Sequence, residues 1–343
     1  MNRTEISLHR PYPASAVTKW HIETEVAVIG FGAAGASAAI EAATAGAKVT
    51  LFERNSGSGG ASGLSGGEIY IGGGGGTDIQ RAAGFNDTTA DFAAYLKMAG
   101  GPCVDEAKCD LYAAKALDHF AWLKAQGIPY KGNYLPGKHI EPLGDDTLIW
   151  SGSEAAAPFC DKAKPAPRGH VIQFLGWGGG RKLVDILEAR ARQLGVDIRL
   201  DARAVALIRD DQRIVGVAMR IDNRVQFIRA SKGVILATGG FALNSDMLKR
   251  YAPLTSRANS PIGDKDDGSG INLGMSAGGD AIHMDQFFTT CPWTIPEPHA
   301  SGVFVNTKGQ RFINEDCYHG RVSRMMVDQP GDRVYLLLDS AHF

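Results

Sequence analysis

The first dense cluster of apolar positions is Glu25–Ile29 (EVAVI), a short run rich in β-branched residues, followed at once by GFGAAG and the alanine-rich ASAAIEAATAGA. That order predicts a buried strand, a tight turn and a helix. Gly46 ends the helix, and Lys48–Phe52 (KVTLF) reads as a second buried strand that stops at Glu53. A βαβ unit of a parallel sheet is therefore expected to close within about 30 residues. Further along, Leu111, Ala114, Leu117, Phe120 and Leu123 fall at helical spacing, predicting a helix over Asp105–Gln126 with Gly127 as its stop. Gly132–Lys164, with its prolines and glycines, reads as irregular. Another helix is expected over Arg181–Leu194, ended by Gly195. Asp197–Leu200, Ala204–Ile208, Ile214–Ile221 and Val225–Ile228 then alternate like a small β-meander, and Gly233–Ala237 is a further buried strand running into ATGG.

Past Asp264 the pattern changes to a glycine-punctuated helix near Ile271–Ala277 and an aromatic, proline-rich tract over Phe287–Pro298. The expected division is an N-terminal arm (1–21), a cofactor domain (22–285) and the start of a second domain (286–343). The chain stops at LLLDSAHF, directly after the strand-like Val334–Leu338, which raises the expectation that this second domain is incomplete. A length of 343 residues suits two domains. A formal net charge of -1 with both signs scattered lacks the electrostatic footprint of a nucleic-acid binder. The five cysteines are odd in number and show neither a CxxC pair nor metal-ligand spacing, so they read as reduced thiols of a cytosolic, cytoplasmic protein without a metal site. Residues 1–20 contain no apolar run that encodes a signal peptide or anchor, and no later stretch approaches a membrane span.

Gly30, Gly32 and Gly35 fit G-x-G-x-x-G between a predicted strand and a helix start, with Ala34 inside the turn. The first glycine permits the tight turn, the second lets a pyrophosphate approach the backbone, and the third lets helix and strand pack. The helix N-terminus adds N–H donors and partial positive charge. Glu53 follows about 20 residues on, where an acid accepts hydrogen bonds from a ribose, with Arg54 beside it. This fingerprint leaves NAD and FAD both open. The next segment, with Gly59, Gly60, Ala61, Ser62, Ser65, Gly66 and Gly67, is either a flexible loop or a small-residue cradle for a planar ring system.

The order of fingerprint, acid, Gly/Ser loop, meander and the second glycine signature GVILATGG (Gly233–Gly240) resembles the two-dinucleotide-binding-domain flavoproteins, and more narrowly the succinate dehydrogenase and fumarate reductase flavoprotein superfamily. Asp267-Gly268 opening the helix GSGINLGMSAGGDA, Met284, and GQRFINED at Gly309–Asp316 support that branch. The resemblance implies an α/β, Rossmann-like two-dinucleotide-binding-domain FAD fold with an inserted α+β cap (catalytic) domain, and FAD as cofactor. It implies cofactor contacts from the residues above, together with Val205 (backbone to adenine), Gly239 and Asp267.

Superfamily members that act on small dicarboxylates carry a Gln-x-His-Pro-Thr-like element where this chain has Gln286-Phe287-Phe288-Thr289-Thr290-Cys291-Pro292-Trp293. The histidine is absent, and Phe287, Phe288 and Trp293 either present apolar faces to a large hydrophobic substrate or pack as cap core. GFGAAGASAAIEAA, GGASGLSGGEIYIGGG, YLPGKHIEPL and KPAPRGH are similar to the 3-ketosteroid dehydrogenases, particularly the branch around 3-ketosteroid Δ4-(5α)-dehydrogenase. That likeness implies desaturation of a steroid-like substrate, with hydride passing to FAD and Tyr318, just after the N-E-D element, in proton transfer. A phenol relays a proton if its pKa is depressed or a partner takes the proton on. Alternatives are a fumarate-reductase-like reductase of another unsaturated substrate and a non-catalytic FAD-binding fragment. No CxxCH or iron–sulfur cysteine pattern is present, so a separate electron acceptor is expected. The family's remaining keto-polarising groups lie beyond Phe343, so weak or absent catalysis is expected of these residues alone and full activity only of a longer chain. His139, His170, His283 and His319 read as packing or surface residues, with His319 placed to tune Tyr318. Arg311, Glu315 and Arg321 are expected to brace the cap through ion pairs, and Cys317 to be a small apolar neighbour.

Overall fold

A computed structural model describes residues 6–142, 144–176, 178–255, 266–290 and 302–340. Cys291, Pro292 and Trp293 lie outside the described residues. The chain divides into two compact units, one of Met1–Ser65, Gly180–Tyr251 and Ala258–Met284, the other of Gly66–Gly179, Ala252–Arg257 and Asp285–Phe343. Residues 66–179, taken above as part of the cofactor domain, thus group with the C-terminal segment.

In chain order the elements begin with β1 (Tyr12–Pro13), β2 (Ile22–Ile29), α1 (Ala33–Thr44), β3 (Val49–Phe52) and α2 (Gly60–Gly63). There follow β4 (Glu68–Tyr70), α3 (Asp78–Ala82), α4 (Thr89–Gly100), α5 (Glu106–Ala125), β5 (Tyr134–Lys138), β6 (Leu148–Trp150) and β7 (Gly169–Val171). Next come α6 (Gly179–Gln193), β8 (Asp197–Arg199), β9 (Arg203–Asp210), β10 (Arg213–Ile221), β11 (Arg224–Leu236), α7 (Ser245–Tyr251) and α8 (Ser269–Ser276). The last are β12 (Val303–Asn306), α9 (His319–Val327) and β13 (Val334–Leu337).

The first unit is built on a seven-stranded sheet of order β1-β9-β10-β11-β2-β3-β8. β2 lies between β3 and β11 and runs parallel to both, so its C-terminal end opens onto the turn to α1. Only three of the four segments read as a meander form one: β9, β10 and β11 pair antiparallel, whereas β8 joins β3 in parallel at the sheet's far edge. The segments read as separate strands at Val225–Ile228 and Gly233–Ala237 are one long strand, β11. Ala27, Ile29, Phe52, Leu207, Val217 and Leu273 fill the core of this unit.

The second unit carries a four-stranded sheet, β4-β7-β6-β5, and the antiparallel pair β12-β13, whose connection includes α9. The stretch read as irregular therefore contains two strands, β5 and β6, too short to show a period. On α5 the buried stripe is Ala113, Ala116, Phe120 and Leu123, and Leu111 is exposed, so the apolar face is rotated from the one expected. Tyr95, Phe159, Phe304, Cys317 and Val322 share one core. A wholly buried ion pair crosses it: Arg168 Nε and Nη2 donate to Asp87 Oδ2 and Oδ1 at 2.8 and 2.7 Å. The guanidinium also faces the rings of Phe92 and Tyr95 at 5.2 and 5.0 Å. Removing one partner of such a pair costs about 3–5 kcal/mol, because the other charge stays buried.

Candidate functional site

Within the first unit the loops after β2, β3 and β11 surround a cleft of about 380 Å³. Its floor is the turn between β2 and α1. Gly30 has φ +104°, and a Cβ there would lie 2.3 Å from the Ala237 carbonyl oxygen. At Gly35 a Cβ would lie 1.9 Å from the Gly30 oxygen. Both glycines are thus demanded by the fold itself. Gly32 differs: a Cβ would meet only Ser62 Oγ at 3.5 Å and the Gly59 oxygen at 3.6 Å, both ordinary contacts, and the residue lines the cleft.

Gly32 is the N-cap of α1 and supplies no side chain to its orphan amides. The Ala33 amide donates instead to Ser62 Oγ at 3.1 Å, which draws α2 against the helix start. Glu53, 6% exposed, accepts from the Phe31 amide through Oε2 at 2.7 Å and from the Asn55 amide through Oε1 at 2.8 Å. A carboxylate held by two amides keeps lone pairs for a ligand hydroxyl.

Of the residues expected to hold the cofactor, Gly30, Gly32, Ala34, Glu53, Arg54, Ala61, Ser62 and Gly239 line this cleft. Gly35 is turned into the helix–strand contact. Val205 is buried in a small sheet cluster with Ala206 and Ala218, and the lining side chains of its segment are Ala202, Arg203 and Ala204. Val205 lies at a register shift between β9 and β10, where Ala204 pairs with Met219 and Ala206 with Ala218, so regular alternation is broken there. Asp267 is not a lining residue, although its neighbour Asp266 is. Its carboxylate clamps two lining arginines, Arg54 Nη1 at 3.0 Å and Arg203 Nη2 at 3.1 Å, and caps α8 through the Ser269 amide at 3.0 Å. Burial alone would raise the Asp267 pKa, but the bonds from Ser269 and the Arg54 charge outweigh it and hold it below the usual value. Ser65 is exposed and donates its hydroxyl to the Ser62 carbonyl. Gly66, Gly67 and Tyr318 belong to the second unit.

In that unit Tyr318 is the N-cap of α9, its ring 4.5 Å from that of His319 and 5.9 Å from that of Phe288. Burial raises the phenol pKa above its ordinary value, and the charges of Glu68 and Tyr95 raise it further. The shift runs away from the phenolate, opposite to the depressed pKa that a relay through the ionised phenol uses. His319 is buried, and that burial, with the charge of Lys138, pushes its pKa down to about 4. It stays neutral near pH 7. Phe288 is 61% exposed, with its ring against those of Tyr318 and His319.

The bracing residues are only partly as expected. Arg311 pairs with Glu315, whose Oε1 also accepts from the Phe304 amide at 2.7 Å. Arg321 instead donates to the Ala99 carbonyl at 2.8 Å and lies over the Phe159 ring. Cys317 is buried, and burial raises its thiol pKa. His170 is buried between Thr77 Oγ1 and the Arg168 carbonyl, as a packing residue. Among the described residues no cluster suits a metal ion, and no helix is long and apolar enough to cross a membrane.

Sequence reading passed over Glu68, which accepts from Ser151 Oγ. Burial raises its pKa from 4.5 to about 7, with Glu154 and Glu141 adding to the rise, and Ser151 and Lys138 opposing it. The unfolded chain then loses this proton first as pH rises. The stabilising contribution is complete below 4.5 and is lost as pH climbs through 7, a difference of about 3 kcal/mol. Thermal melts from pH 4.5 to 8 are expected to show a steeper fall in Tm for the native protein than for Glu68→Gln. Parallel curves would contradict the assignment.

The FAD binding domain family matches residues 25–342 of the chain. The 3-oxo-5-alpha-steroid 4-dehydrogenase of Comamonas testosteroni is 30% identical, over 94% of this chain and 68% of that enzyme. A probable fumarate reductase of Shewanella frigidimarina is 26% identical, over 92% of this chain, of which the chain spans only 50%. The crystal structure of 3-ketosteroid-delta4-(5alpha)-dehydrogenase from Rhodococcus jostii RHA1, in complex with 4-androstene-3,17-dione, superposes with a TM-score of 0.91 at 39% identity, covering 97% of this chain and 70% of that one.

Proposed function

The chain belongs to the FAD binding domain family of flavin-dependent oxidoreductases, and from that premise we propose that it serves the dehydrogenation of a C–C bond in a 3-ketosteroid-like, apolar substrate. FAD is the cofactor, and when bound it supplies the two-electron acceptor. The observation that carries its placement is the cleft with an open Gly32, the α1 N-terminus and a doubly anchored Glu53. In this reading the amides at the start of α1 take the pyrophosphate, helped by the partial positive charge of the helix end. Glu53 takes the ribose hydroxyls. Arg54 and Arg203, held by Asp267, close the rim.

For the substrate, the 39% identity to the steroid-bound dehydrogenase supports an apolar ketone. Phe288 offers an exposed aromatic face. Tyr318 handles the substrate proton, and because its phenol is reluctant to ionise, it does so by passing a proton onward rather than by resting as phenolate. A separate acceptor reoxidises the cofactor.

Anaerobic mixing of the purified protein with a 5α-reduced 3-ketosteroid is expected to bleach the visible flavin band, while succinate leaves it unchanged. Bleaching by succinate and not by the steroid would reverse the substrate assignment.

A further inference from the structure

A buried polar segment adjoins Tyr318 that the reaction as described leaves unused. Ser153, 2% exposed, accepts the Tyr318 amide on its hydroxyl at 2.9 Å and donates its own amide to the Tyr95 hydroxyl at 2.8 Å. At Gly152 a Cβ would lie 2.4 Å from Tyr70 Oη, 2.6 Å from Tyr95 Oη and 2.8 Å from the Glu154 carboxyl carbon, so no side chain fits. Ser151 donates to Glu68, and its carbonyl accepts from Lys138 Nζ at 3.1 Å, which also reaches the Gly152 carbonyl. Groups from β4, α4 and β5 therefore immobilise three consecutive residues.

Tyr318 is an N-cap with φ -50° and ψ 130°, outside helical geometry, and no side-chain bond caps α9. Its amide is held by the Ser153 hydroxyl, which fixes the backbone from which the ring extends toward His319 and Phe288. We propose that Ser153 is the positioning residue for Tyr318, with Glu68, Lys138 and Tyr95 holding Ser153 in place. This rests on Tyr318 being the proton-transfer residue. A displacement of about 1 Å at such a group costs up to 10²-fold in rate.

The test uses the FAD-loaded protein, with turnover of a 5α-reduced 3-ketosteroid and hydrogen–deuterium exchange of the peptide containing the Tyr318 amide. Ser153→Ala is expected to speed that exchange about tenfold and to lower kcat tenfold or more at unchanged KM and flavin content. Ser153→Thr, which keeps the hydroxyl, should restore both. Unchanged exchange in Ser153→Ala would overturn the proposal. So would faster exchange with native turnover, provided Tyr318→Phe is inactive. If Tyr318→Phe turns over normally, it is the role of Tyr318 that fails, and the exchange rate alone then decides whether Ser153 anchors it.

Discussion

Gly32→Val is expected to give a folded protein that no longer retains FAD. The site has space for a side chain within the protein, because the nearest atoms to a Cβ are 3.5 and 3.6 Å away, and the backbone is in an extended conformation that any residue adopts. The isopropyl group would instead project into the cleft at the start of α1, where the pyrophosphate needs backbone within hydrogen-bonding distance. Flavin per protein after desalting should fall to near zero while the circular dichroism melt stays close to that of the FAD-stripped native protein. The control is Gly30→Val, which meets the Ala237 carbonyl and a backbone of positive φ and should fail to fold. Full flavin occupancy in Gly32→Val would show that the cleft is not the pyrophosphate site.

Tyr318→Phe is expected to keep FAD and to lose about 10²–10⁴-fold in desaturation rate, the usual worth of a positioned proton-transfer group. The substitution removes one oxygen and leaves the ring contacts with Phe288 and His319, so stability should hardly change. Stopped-flow measurement of flavin reduction by the steroid isolates this step. A native rate in Tyr318→Phe would remove the phenol from the mechanism.

The cofactor end of the molecule was legible because its physics is local. Strand β2, the glycine turn, α1, β3 and Glu53 follow one another in sequence, and each glycine's role depends on neighbours within that unit or on one parallel strand. What sequence could not show depends on contacts between distant segments. The edge strand β8 is three residues long, and its partner β3 lies far upstream. Which of Ala204 and Val205 borders the cleft depends on the register shift between β9 and β10, which no hydropathy pattern shows. The exchange between Asp266 and Asp267 is similar: the second acid is drawn away by two arginines, one of them on β9. Tyr318 stood out by its motif, but the segment behind it did not. Glu68 and Lys138 read as surface residues in any hydropathy pattern, and only the four-stranded sheet brings them to Ser151.

A crystal structure of the FAD-bound protein tests the central claim most directly. The account expects the diphosphate against the amides that follow Gly32 and a ribose hydroxyl on Glu53, with Ser62 still at the start of α1. FAD held elsewhere, with that cleft filled by solvent, would contradict it.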